Sequence, residues 1–208
     1  MSEGLRCIDP GNKVLFSRGL LNDEFTGEHL HKFFAVLRLI LVGSSGQEMA
    51  AMYAPLGYVG RKAKGFPLHA DLYVPNILWN VFDQVPEDGS GASTFLPVSV
   101  FRILLDQNKV PVRHRLKLIS CLEDDSSEDR FRNFYDLLYV QGEDWADRLC
   151  SQMNKEQFIV PLQYGEGYLL HDRKWLHGRE VPSSGVTANR VRRLIFLSSE
   201  NGLRSHFD

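Results

Sequence analysis

The chain has 208 residues, of which 43% are hydrophobic and 24% charged, values of an ordinary globular protein with a substantial core rather than a disordered or fibrous one. Its net charge of -2, with both signs interspersed, gives no electrostatic case for nucleic acid or an anionic membrane as partner. The most apolar run, 33–43, is short and broken by Arg38, so no bilayer-spanning helix is expected.

Glu3, Arg6 and Asp9 stand where a signal peptide would carry its apolar stretch, and Cys7, Cys121 and Cys150 are odd in number and widely spaced. The expectation is a single cytoplasmic domain, 1–208, with reduced thiols. In chain order, a short strand is expected around 13–16. Leu30, Phe33, Phe34, Leu37, Ile40 and Leu41 recur at helical spacing and predict an amphipathic helix over 25–42. Asn22, Asp23 and Thr26 are its candidate caps, and the Gly-Ser-Ser-Gly run at 43–46 ends it. His29 and His31, two apart, cannot share one helical face, so they are not read as a metal pair. Residues 49–59 read as strand and turn, and 60–65 as a solvated basic loop.

Residues 66–74 read as a strand, rich in aromatic and β-branched side chains before Pro75. A second strand follows at 76–82, a turn at 86–91, another strand at 92–96 and a helix at 97–107. Residues 108–155 are more charged and carry helical spacing in Phe131, Phe134, Leu137 and Leu138, then in Trp145, Leu149 and Met153. They are expected to form a helical insertion, acting as a lid. Strand character resumes at 157–163, 167–170 and 190–198. Many short strands with Gly and Pro turns give a mainly β fold with flanking helices, a sandwich or jelly roll.

The chemistry begins with His69 and Asp71. Two apart on a strand, they point to the same face and can present an imidazole beside a carboxylate. That is two-thirds of a 2-His-1-carboxylate facial triad, the set that leaves open positions on non-haem Fe(II). His177, in the run Trp-Leu-His-Gly-Arg, offers the third ligand. Taken alone, His69 is better explained as a core or surface histidine hydrogen-bonded to a nearby carboxylate. A second H-x-D at 206–208 has no later histidine to complete it and is read as incidental.

Three further runs accompany the H-x-D: G-S-G-A-S-T-F-L-P at 89–97, G-Y-L-L-H-D-R-K-W-L-H-G-R at 167–179 and N-R-V-R-R-L-I-F-L at 189–197. In this order the four segments resemble the Fe(II)/2-oxoglutarate-dependent dioxygenases, closest to the branch of taurine dioxygenase and clavaminate synthase. The resemblance covers about 49–199, with 108–155 unmatched in detail. It implies a double-stranded β-helix, a cupin-like jelly roll, with Fe(II) held by His69, Asp71 and His177. It also implies that Arg190, thirteen residues past His177, pairs with the distal carboxylate of 2-oxoglutarate, with the Thr94 hydroxyl helping. Asp172 would orient the ligands from behind, and His171 would be a core or supporting histidine. Tyr73, Trp79, Asn80 and Arg192 are candidates to line the substrate pocket, Trp79 reading also as core packing.

One departure concerns the arginines. The branch often has a second arginine four residues after the first, where this chain has Leu194, with extra arginines at Arg192 and Arg193. Strand alternation puts Arg190 and Arg192 on one face and Arg193 on the other. Arg190, nearest the loop leaving His177, is the expected anchor, and Arg192 and Arg193 are the alternatives. The implied activity uses O2 to couple oxidative decarboxylation of 2-oxoglutarate to hydroxylation or desaturation of a small polar, amino-acid-like molecule. The carboxylate of Asp71 argues against halogenation. The rival readings are a cupin-type metal protein that does not use 2-oxoglutarate, against which Arg190 and Thr94 argue, and a non-catalytic β-sandwich that binds a protein through its insertion.

Overall fold

The computed structural model describes residues 11–45, 49–57, 65–71, 75–123, 130–183 and 190–198. Two antiparallel sheets face each other, and each is covered on its outer side by helix. The strands are β1 (Leu15–Ser17), β2 (Met49–Gly57), β3 (Phe66–His69), β4 (Pro75–Gln84), β5 (Ser93–Pro97), β6 (Phe158–Val160), β7 (Gly167–His171), β8 (Trp175–Arg179) and β9 (Arg190–Ser198). The larger sheet has the order β1-β7-β4-β9-β2 and the smaller β3-β8-β5-β6.

Strand β4 shows how alternation builds the layers. Ile77, Trp79 and Val81 turn outward and pack with Leu30 and Phe34 of helix α1 (Gly27–Ser45), the Phe34 and Trp79 rings lying 5.0 Å apart. Leu78 and Phe82 turn inward, joining Phe95 of the smaller sheet, Tyr168, Leu170, Val191 and Ile195 in the core between the sheets. Of the three cap candidates, Thr26 stands at the helix boundary: its carbonyl accepts the Leu30 N–H at 3.0 Å, and its own N–H donates to His29 Nδ1 at 3.1 Å. Asn22 instead forms the preceding turn, its Oδ1 accepting the N–H groups of Glu24 and Phe25.

The other helices, α2 (Val98–Gln107), α3 (Val112–Glu123), α4 (Arg130–Tyr135, running into a π-helical turn at Asp136–Val140) and α5 (Asp144–Glu156), form the opposite outer layer. Phe101, Leu105, Leu118 and Leu149 are fully buried there with Leu68, Leu96 and Leu176, the outward residues of β3, β5 and β8. Burying each such side chain is worth about 1.5–3 kcal/mol. The Tyr139 hydroxyl donates to the Leu68 carbonyl at 2.8 Å and ties this layer to β3. The segment expected as a lid therefore lies behind the smaller sheet, because its apolar faces are matched to that sheet's apolar back.

Candidate metal centre

The inner faces of β3 and β8 bring two histidines together. His69 and His177 are directly opposite in the antiparallel register, with ring centroids 4.4 Å apart. Strand β3 ends at His69, short of the 66–74 expected, and Asp71 follows two residues later in irregular backbone. That segment is held by Asp172, which is fully buried and accepts the Asp71 backbone N–H on Oδ1 and Oδ2 at 3.1 and 3.0 Å. Asp71 Oδ1 lies 3.4 Å from His69 Nε2, and Oδ2 lies 3.6 Å from His177 Nε2. One donor atom from each of the three residues falls within 4.8 Å of the others, the only such cluster of three or more metal-ligating side chains among the described residues.

The protonation pattern suits a metal. His69 Nδ1 is 2.9 Å from the Pro67 carbonyl, which can only accept, so Nδ1 carries a proton and Nε2 is the nitrogen turned to the cluster. His177 Nδ1 lies 3.5 Å from Asp172 Oδ1, and neither ring nitrogen of this buried histidine has a hydrogen-bond partner. A buried polar nitrogen without a partner is costly, and a cation at Nε2 would satisfy it. Burial, with His69 and Arg193 adding to it against the pull of Asp71, lowers the His177 pKa to about 3, so the ring is neutral at physiological pH. For Asp71, burial pushes the carboxyl upward, but the facing charges, the Arg193 guanidinium foremost, outweigh it and hold the group well below the usual carboxylate range. Two imidazoles and one carboxylate are the donor set that suits Fe(II).

Beside the cluster a pocket opens between the sheets. Phe66, Phe82, Tyr168 and Val191 give it apolar walls; His69, His177, Asn80, Ser93, Arg179 and Arg193 give it polar groups. Asn80 and Arg193 are directly opposite each other on β4 and β9, and Asn80 Oδ1 accepts from Arg193 Nε at 2.7 Å. Arg193 Nη1 then donates to Asp71 Oδ2 at 2.6 Å.

Several expected site residues lie elsewhere. Arg190 and Arg192 are on the outer face of β9, where their Nε atoms donate to Asp83 at 2.8 and 2.6 Å. The expectation that Arg190 faces the mouth is thus corrected: the inward residues of β9 are Val191, Arg193 and Ile195. Arg192 leaves the pocket for the same reason. Thr94 is buried but turns its Oγ1 to the back of β8, where a Cβ on Gly178 would stand 2.9 Å from it, and its neighbour Ser93 lines the pocket instead. Trp79 packs under α1 rather than in the pocket. Asn80 is in the pocket, while Tyr73 and His206 fall outside the described residues. His171 is half-buried, its Nδ1 accepting the Arg173 N–H at 3.3 Å. The sequence reading assigned no role to Arg179, although its position two residues past His177 on one strand places both on the same face.

No family model matches the chain, and no curated protein matches it. Solved structures do. An asparagine oxygenase, described in complex with Fe(II), 3-hydroxyasparagine and succinate, is 10% identical with a TM-score of 0.39, over 73% of this chain and 56% of its own. The chain thus spans little more than half the length of that enzyme. PvcB of Pseudomonas aeruginosa is 14% identical with a TM-score of 0.44, over 88% of this chain and 75% of its own. SnoN, described as a non-haem α-ketoglutarate-dependent epimerase from nogalamycin biosynthesis, is 11% identical with a TM-score of 0.45, over 92% and 80%.

Proposed function

We propose that the protein is a non-haem Fe(II) oxygenase of jelly-roll fold that uses 2-oxoglutarate and O2 to hydroxylate or desaturate a small polar molecule. The observation that carries this reading is the convergence of His69, Asp71 and His177, with the partnerless nitrogens of His177 at its centre. The two facing antiparallel sheets are the layering a jelly roll needs. Bound at the three side chains, Fe(II) would supply open coordination positions for oxygen and an oxo acid.

The chain's own residues have definable tasks. His69 and His177 present their Nε2 atoms, and Asp172 holds the Asp71 backbone so that its carboxylate meets them. Phe66, Phe82, Tyr168 and Val191 limit water at the pocket, which strengthens every polar contact within it. Arg179 shares the inner face of β8 with His177, and we assign it the distal carboxylate of 2-oxoglutarate, since a guanidinium matches a carboxylate bidentately. The pocket's mixed apolar and polar lining suits an amino-acid-like substrate.

A specific observation also favours a second reading. Arg190 and Thr94, whose expected roles argued against a cupin-type metal protein without 2-oxoglutarate, both point away from the pocket. Anaerobic addition of Fe(II) and then 2-oxoglutarate separates the two. The oxygenase reading expects a weak visible charge-transfer band that needs both components and is absent in Asp71→Ala. Tight Fe(II) binding with no band at saturating 2-oxoglutarate would instead establish the metal protein that does not use it.

A further inference from the structure

Arg193 is a buried cation set against a metal-ligating carboxylate, an arrangement that needs a reason. A positive charge beside the cluster opposes binding of a second cation, and its own desolvation is unfavourable unless it is fully bonded. The geometry supplies the bonds. Asn80, opposite on β4, fixes the guanidinium through Nε, and Nη1 then reaches Asp71 Oδ2. Asp71 lies two residues beyond the end of β3, outside the strand pairing that fixes His69. Asp172 holds only its backbone N–H.

We infer that Arg193, braced by Asn80, is a positioning residue that occupies Asp71 Oδ2 and leaves Oδ1 to bind the metal. The inference rests on the proposed metal site. A carboxylate free to rotate can chelate through both oxygens and fill a position that an oxo acid or oxygen needs. With Oδ2 engaged by Nη1, Asp71 would offer one donor atom beside the two imidazoles. The brace is specific to arginine: a lysine at 193 keeps the charge but has one ammonium in place of a planar fork, so it cannot hold Asn80 and Asp71 in fixed directions at once.

The test uses Co(II), whose visible spectrum reports coordination number and which binds nitrogen and oxygen sites of this type. Wild type, Asp71→Ala, Arg193→Lys and Asn80→Ala are titrated, with thermal melts of each metal-free protein. The expected result is that Arg193→Lys and Asn80→Ala bind Co(II) with altered visible bands, as for a carboxylate that has changed its mode of binding, and with affinity shifted by up to about 10- to 100-fold, the usual scale for losing a partner behind a metal ligand. Unchanged affinity and bands in both variants, while Asp71→Ala loses the metal, would overturn the positioning role and leave the metal site standing. Wild-type binding in Asp71→Ala would overturn the metal site and this inference with it. If Arg193→Lys fails to fold, Asn80→Ala, which leaves the charge in place, decides by the same criteria.

Discussion

The carboxylate of Asp172 accepts the backbone N–H of Asp71 across 101 positions of sequence, both oxygens lying within about 3.1 Å of the nitrogen. Its Oδ1 also lies 3.5 Å from His177 Nδ1, so one buried group touches two of the three candidate ligands. Asp172→Ala is expected to weaken Fe(II) about 10- to 100-fold. Asp172→Asn keeps an acceptor for the Asp71 N–H and should lose less. Calorimetric titration of both variants checks this, and equal loss in the two would show that the N–H contact is not what matters.

The arginines differ in what they can reach. The Arg190 side chain is 46% exposed and is paired with Asp83 on the outer face of the sheet. Arg190→Met should therefore shift 2-oxoglutarate affinity by less than about threefold, as for an exposed ion pair remote from the ligand. Arg179→Met is expected to weaken it about thirty- to several-thousand-fold, corresponding to roughly 2–5 kcal/mol for one partner of a desolvated charge pair. Equilibrium binding of 2-oxoglutarate to the Fe(II)-loaded variants measures both.

His177 links stability to pH. Its folded-state pKa of about 3 lies below the ordinary histidine value of 6.5. Between these values the unfolded chain binds a proton that the folded chain does not, so stability rises with pH across the window. Metal-free protein should lose stability as pH falls from about 6.5 toward 3, with this histidine contributing a slope of at most about 1.4 kcal/mol per pH unit. Urea melts at pH 7, 6 and 5 should show the midpoint falling. Replacing His177 with Gln should flatten that part of the profile, and an unchanged slope in the variant would assign the effect to other groups.

The helical layer behind the smaller sheet gives a prediction opposite to that of a lid. Amide exchange in α3 and α5 should be slow without ligands, because Leu118, Leu122, Leu149 and Met153 are buried in one core with Leu68 and Leu176. Adding metal and 2-oxoglutarate should change it little. Tyr139→Phe removes the bond to the Leu68 carbonyl and should lower stability by about 1 kcal/mol, measurable in urea melts.

The sequence by itself carried the features that depend on local period and residue chemistry. The apolar spacing of Leu30, Phe33, Phe34 and Leu37 specified helix α1, and the donor types at His69, Asp71 and His177 specified the candidate ligands. Strand alternation also placed Arg193 on the face opposite Arg190 and Arg192, as the structure has it. It could not say which face looks into the pocket, because a period of two is symmetric between the sides of a sheet. That choice was made by long-range packing: Leu194, on the same face as Arg190 and Arg192, is buried with Leu30 and Phe34 of α1, so Arg193 turns inward with Val191 and Ile195. The same ambiguity exchanged Thr94 for Ser93. It also left the helical segment without a location until the apolar backs of β3, β5 and β8 supplied one. Likewise, only the antiparallel pairing of β3 with β8 set His69 opposite His177, since contacts between residues 108 positions apart are made by the sheet and not by either strand alone.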